Sequence, residues 1–387
     1  MTELTRTDVV TPAATMPTTS SLKSVDYSPA AAEILTPTFT VGLDVGDRRT
    51  HYCVVDDQRK VVARGSFTTD PEAMAKALAE FPGARVALEA GSQSPWMSRA
   101  LKKSGFQVHV VDPRRVQLIS KDPRKNDRRD AETIARLEAG MPELLGIVHH
   151  RSEQAQADLS VIRARDALVR MRTMLVQQVR GLSKVFGVRL PATSTNSFAK
   201  RVRSTVPEVL LPAVEILLEH IADTSTRIRE SDKLLARISE ERYPEAVRLQ
   251  TQIQGVGPVT SMAFVLTIED PNRFATSRQV GSWIGLCPRS FASGDSNPEL
   301  GISKAGDAYL RRLLLQCSHY ITGHFGQDSD LRRFGERLAA GGGRGAKKRS
   351  NVAVARKLAV IMHHVWRTGV DFNPLHNAER QALREAV

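Results

Sequence analysis

Four carboxylates in this chain have the types and spacing of a divalent-metal site. Asp44 closes a β-branched run in VGLDVGD, and Glu89 holds the matching place in VALEAG. Asp127 and Asp130 stand three residues apart in KDPRKNDRRDAETIARL, so on a helix they share one face. Carboxylate oxygens are the ligands that a hard cation such as Mg²⁺ prefers, and phosphoryl transfer profits from two such ions about 4 Å apart. Gly42 and Gly46 flank Asp44 and would let a substrate backbone come close. A plainer reading stands beside this one: Asp127 and Asp130 also fit a helix N-cap with a first-turn acid, and Glu89 fits a strand-end residue paired with a surface arginine. What joins the four is that acids close two strands and open a late helix, among the cations Lys125, Arg128 and Arg129. The cations would hold a polyanion while the acids hold the metal that acts on it.

Such a site needs strand ends and a helix start brought to one edge. From Phe39 to about Gly140, FTVGLDVG, THYCVVD and VVARGSFTT read as three short strands separated by turn-forming DRR and DDQRK. A helix at about Pro71 to Glu80 follows, then strand RVALEA, a helix around Pro95 to Lys103, strand QVHVVD and the helix opening near Asp127. A three-strand meander followed by strand–helix units is the order of an RNase H-like, or RuvC-like, α/β domain, expected over residues 39–150. Residues 1–38, rich in Thr, Ser, Pro and Ala, are expected to form a disordered leader. Over 151–253 the strand signals vanish. Apolar residues step by threes and fours from Val161 to Phe186 and again from Leu217 to Ile238, which predicts two long helices with coiled-coil spacing, either a hairpin linker or a dimerising arm. Between Arg163 and Arg189 the first carries seven arginines or lysines against one acid, Asp166, a balance that favours phosphate contact. A mainly α region spans 254–373, and 374–387 reads as a weakly ordered tail.

Composition points the same way. The 387 residues hold 55 Lys and Arg against 42 Asp and Glu, a formal charge of +13, which suits nucleic acid before an anionic membrane. Cys53, Cys287 and Cys317 are too scattered for a disulfide framework or a zinc site, which fits a reducing cytoplasm. No apolar run reaches the ~20 residues of a membrane span, so no membrane partner is expected. In GVGP, Gly255 and Gly257 would either expose backbone N–H groups to a DNA phosphate or simply form a packing corner between helices. Arg311 and Arg312, with Arg344, Lys347, Lys348 and Arg349, would make non-specific phosphate contacts. The pairs His149–His150 and His363–His364 lack ligand spacing and read as surface residues. Trp96, Trp283 and Trp366 read as core.

GLDVG, ALEAG and KNDRRDAETIARL, followed by GVGP, GLCPR, SG and ISKAGDAYLRRLLL, resemble the DEDD transposases of the insertion sequence 110 family, over about Phe39 to Arg367. The resemblance implies a RuvC-like domain, a helical linker and a C-terminal transposase domain, in a bacterial, nucleoid-associated enzyme that cuts and rejoins donor and target DNA. It maps the four acids onto Asp44, Glu89, Asp127 and Asp130. It further implies a serine nucleophile in the SFASGDSNPELG stretch, where the Ser–Gly pair falls on Ser293 and Gly294. Ala292, Asp295 and Ser296 depart from the family's Ser-Ser-Gly-Gly-Lys, and Arg289 or Lys304 would stand in for the missing lysine. A noncoding bridge RNA that pairs with both DNAs is implied as guide, and a dimer or tetramer as the working assembly. The expected reaction is therefore Mg-assisted attack of Ser293 on a DNA phosphate. The alternative is a metal-dependent RuvC-like nuclease, a junction resolvase with water as nucleophile. A sugar-kinase-like ATPase also begins with GLDVG, but it requires a second Gly-Thr-rich phosphate loop that this chain lacks. A non-enzymatic nucleic-acid-binding protein would tolerate Asp127→Asn or Glu89→Gln.

Overall fold

Alternation along five short strands builds a sheet with two unlike faces. The structure, a computed structural model, describes residues 39–119, 127–289 and 300–385, and the expected leader lies outside them. The chain divides into two units between His149 and His150. In the first, β1 (Thr40–Val45), β2 (Arg49–Val55), β3 (Val61–Thr68), β4 (Arg85–Glu89) and β5 (Gln107–Val111) form one sheet in the order β3-β2-β1-β4-β5. β1 to β3 pair antiparallel, whereas β4 and β5 run parallel to β1. This is the expected RNase H-like arrangement. Helices α1 (Pro71–Leu78), α2 (Ser94–Lys103), α3 (Pro113–Ile119), α4 (Asp127–Gly140) and α5 (Pro142–Leu145) complete the unit. The short α3 was not foreseen; Asp112 starts it by accepting the Arg114 N–H at 3.0 Å, with Pro113 in the first turn.

Period-2 alternation sorts the strand residues. Val41, Leu43, Val86, Leu88, Val108 and Val110 pack in one cluster with Met74 and Leu78 of α1 and Met97 and Leu101 of α2. Their neighbours Cys53, Val55, Ala87 and Val111 face the other way, against Ala131, Ile134, Ala135 and Leu137 of α4. Asp70 caps α1 by accepting the Ala73 N–H at 2.8 Å.

The second unit is helical among its described residues. α6 (Glu153–Val185) and α8 (Leu211–Arg242) are the two long helices expected, with the short α7 (Phe198–Val202) between them. Asp158 bonds Arg242, Arg165 bonds Asp232 and Arg172 bonds Ser225, so the pair is an antiparallel hairpin. Its far end has its own core, built on Val176, Val179, Phe198, Val202 and Leu218. Ile162 and Leu235 instead join the core of α9 (Pro244–Gln252), α10 (Pro258–Ile268), α11 (Arg278–Trp283), α12 (Ala308–Thr322), α13 (Asp330–Ala340) and α14 (Ala346–Thr368). A last helix, α15 (His376–Glu385), stands where a weakly ordered tail was expected, its first N–H groups bonded to Asp330. Among the described residues no helix is long and apolar enough to cross a membrane.

Candidate active site

Asp44 and Glu89 lie side by side. Leu43 pairs with Leu88 across the parallel strands β1 and β4, and both are fully buried against α1 and α2. The next residue on each strand must turn to the opposite face, the one α4 covers. Adjacent strands are about 4.8 Å apart, so the two half-buried carboxylates flank one another. His51 of β2 is the direct partner of Asp44 and points to the same side. Sequence reasoning missed it; the alternation of THYCVVD, set against the register of β1, was the signal.

The direction of α4 brings its first turn to this edge. Ala131 and Ala135 lie over Gly42, whereas at the other end of the helix the Arg59 side chain, in the β2–β3 turn, packs against Gly140. Since Arg59 follows Val55, the partner of Thr40, α4 runs antiparallel to β1. Asp130, half-buried and one turn before Ile134, therefore continues the sheet-facing stripe toward Asp44 and Glu89. Asp127 opens the helix, and its side chain lies outside the described residues.

Gly42 has a different task from the one expected. A Cβ there would lie 2.2 Å from the Ala131 carbonyl oxygen and 2.4 Å from the Ala135 nitrogen, so its bareness admits α4, not a substrate. At Gly46 a Cβ would meet the Arg49 oxygen at 2.4 Å, which makes it a turn residue. Two further clusters, both missed from sequence, fix α4. Glu132 accepts from Arg64 at 2.5 Å and from Arg136 at 2.9 Å. Burial pushes its carboxyl up, but these two guanidinium bonds outweigh that and hold its pKa below the usual range. Glu138, fully buried, bonds His109 Nδ1 at 2.6 Å with Arg85 at 3.7 Å. There burial prevails and raises the pKa against the pull of His109 and Arg85. The spacing of Glu132 and Arg136 was the only sequence signal for either cluster.

Asp44, Glu89 and Asp130 present only hard oxygen donors at one sheet edge, a set that fits a divalent cation such as Mg²⁺. Among the described residues no three His, Cys, Asp or Glu are yet gathered closely enough to hold one.

The other expected contacts divide. Lys125 lies outside the described residues, as do Ser293, Ala292, Asp295 and Ser296. Arg128 and Arg129 are exposed on the first turn of α4. Gly255 takes a left-handed φ of 87° with Ile321 and Tyr320 at its back, so packing alone demands a glycine, whereas Gly257 faces open space at the start of α10. Arg289 and Lys304 are exposed, Lys304 at a φ of 57°. Arg311 donates to the carbonyls of Ile284 at 2.9 Å, Gly306 at 3.1 Å and Ala305, which ties down the loop before α12. Arg312 bonds Asp166 at 2.5 Å and lies over the Tyr309 ring. Those contacts account for both arginines without a phosphate. Lys347 and Lys348 are exposed in the first turn of α14, where they add to the positive end of the helix dipole. His363 is not a surface residue: it is fully buried, Nδ1 bonded to Ser277 at 2.9 Å and Nε2 to the Pro271 carbonyl at 2.8 Å.

Comparison with known proteins gives the family of the chain. Residues 41–186 match the DEDD transposase family of IS110, and residues 247–332 match the transposase family IS116/IS110/IS902. The chain is 30% identical over 343 residues to the transposase for insertion sequence element IS1328 of Yersinia enterocolitica, covering 86% of this chain and 98% of that one. It is 29% identical over 297 residues to a probable family 20 transposase of Pseudomonas aeruginosa, covering 76% and 86%. With the transposase for insertion sequence element IS1111A of Coxiella burnetii it shares 27% over 340 residues, 83% and 88% of the two chains.

These matches correct the expected chemistry. Attack by Ser293 gives way to the metal-dependent nuclease reading with water as nucleophile, because the matched N-terminal family is a DEDD one, defined by its acids, and it covers the sheet unit. The physical reason is economy of activation. A serine hydroxyl is a poor nucleophile until it is deprotonated, whereas a divalent ion held by the carboxylates would lower the pKa of a bound water.

Proposed function

Because the chain belongs to the IS110 transposase family, whose members cut and rejoin DNA, we propose that Asp44, Glu89, Asp127 and Asp130 hold Mg²⁺ at the edge of the sheet unit and that water attacks the DNA phosphate there. The observation that carries this reading is the register of β1 and β4, which sets Asp44 beside Glu89 on the face that α4 enters with Asp130. Mg²⁺, when bound, offsets charge gathering on the phosphate oxygens and makes water acidic enough to attack near neutral pH. Asp44 and Glu89 orient the site from rigid strands. Asp127 and Asp130 close it from the helix, and Arg128 and Arg129 on the same turn would hold the flanking phosphates, with Lys125 just before them. Cleavage by water leaves a free hydroxyl on one strand end, and in-line attack by that hydroxyl on a second phosphodiester would rejoin strands without outside energy.

The same proposal takes 39–150 as the catalytic domain, 151–253 as the helical linker and 254–373 as the transposase domain. In the last, Gly257, Arg289, Lys304, Lys347 and Lys348 would touch phosphate. A homo-oligomer and a bridge RNA belong to it through the resemblance, and the positive charge of +13 supports a nucleic-acid partner. The test is Mg²⁺-dependent cutting of element-end DNA by the purified chain with and without the adjacent transcript. Asp44→Asn, Glu89→Gln and Asp130→Asn should cut at background level, whereas Ser293→Ala should cut at the parent rate. A Ser293→Ala variant that binds DNA and cannot cut would overturn the water reading, and equal recombination without the transcript would remove the RNA.

A further inference from the structure

The cations of α6 fall into two groups that the sequence does not separate. Along the shaft they are used internally: Arg163 bonds Asp307, Arg165 bonds Asp232, Arg170 pairs with Asp166, and Arg172 is buried on Asn196 and Ser225. Toward the far end the acids run out. Between Ala167 and Pro207 the chain has eight arginines and lysines and no Asp or Glu. Glu215 of α8 takes one of them, Arg203. Lys184, Arg189, Lys200 and Arg201 stay exposed.

These charges surround a built feature. Arg180, Lys184 and Arg189 line one open pocket of about 500 Å³ with Leu190, Ala192 and Thr193. Arg180 is held rigid as its wall, donating to the carbonyls of Leu190 at 3.2 Å and Pro191 at 3.0 Å, with its guanidinium over the Phe198 ring. Lys184 also complements the dipole at the C-terminal end of α6, but that role does not extend to Arg189, Lys200 or Arg201. Like charges gathered without counter-charges cost stability unless a polyanion is present to use them.

We propose that this tip of the α6–α8 hairpin is a contact for the phosphate backbone of duplex DNA, separate from the carboxylate edge. The proposal rests on the DNA-cutting reading of the chain, since duplex DNA is the polyanion that reading supplies. Backbone contacts of this kind fix register and orientation and carry no sequence preference. Binding of duplex DNA to the full chain, followed by anisotropy over a range of salt, tests it. Lys184→Ala, Arg189→Ala and Lys200→Ala combined should weaken binding and flatten the dependence of log affinity on log salt by about 0.9 for each phosphate no longer neutralised, close to three in all. Arg227→Ala, Lys233→Ala and Arg237→Ala combined, exposed positions on α8 that change net charge equally, should leave the slope near the parent's. The exchange of Lys184→Arg with Arg189→Lys should also preserve it. Equal flattening in the two triple variants, no flattening in either, or weakening confined to a structured RNA probe would overturn the proposal. Mg²⁺-dependent cutting by Asp44→Asn on the same DNA tests the catalytic reading separately.

Discussion

Burial raises the pKa of Glu138 against the pull of His109 and Arg85. Its raised pKa means that the folded chain binds the carboxyl proton more tightly than the unfolded chain does, so stability falls as pH rises from about 4.5 through the raised value. Glu138→Gln removes the group, and melting temperatures between about pH 4.5 and pH 7 should vary less in that variant than in the parent; an equally steep profile would rule this out. Gly42→Ala acts through sterics. A Cβ 2.2 Å from the Ala131 oxygen meets backbone, which cannot swing away, so the loss should reach or exceed the ~1–3 kcal/mol usual for overpacking, measured by urea unfolding. Both residues show what was legible at this scale. Asp44 and Glu89 were visible, unlike Glu138, because a carboxylate at a strand end is unusual in itself. Gly42 was visible as a glycine, but what presses on it lies about 90 residues later in the chain, and local sequence carries no sign of that.

At the scale of elements, the strands of the first unit were readable because β-branched runs and turn residues act locally, and the order of strands and helices was enough to place the sheet. The helical hairpin was readable as helices, through period, but its charges were not. Arg163 and Asp307 lie 144 positions apart, and Arg312 and Asp166 lie 146 apart, so an arginine that looks available for phosphate is already paired. Arg172 is the sharpest case. Its guanidinium is buried between α6 and α8, burial lowers its pKa, and Nε has no partner among the described residues. Arg172→Met, of similar reach without the charge, should stay within about 1 kcal/mol of the parent or gain stability, because removing a poorly satisfied buried charge offsets the missing hydrogen bonds. A loss above about 3 kcal/mol by chemical denaturation would show instead that the bonds to Asn196 and Ser225 hold the hairpin together.

For the whole molecule, the proposed function divides the labour: the net charge of +13 would gather DNA, and the carboxylates would hold the metal that activates water. Metal removal should therefore separate the two. With EDTA the chain should keep its DNA affinity within a few-fold and lose cutting, and restored Mg²⁺ should return it; cutting that survives EDTA and dialysis would argue against the carboxylate site. The nucleophile is the central claim, and it leaves an isotopic record. Cleavage in ¹⁸O-water, followed by mass spectrometry of the cut DNA, should place one ¹⁸O on the phosphate-bearing end of each cut and none on the hydroxyl end, with no protein attached. Ends without ¹⁸O, recovered as a denaturant-stable protein–DNA adduct that Ser293→Ala abolishes, would contradict the account.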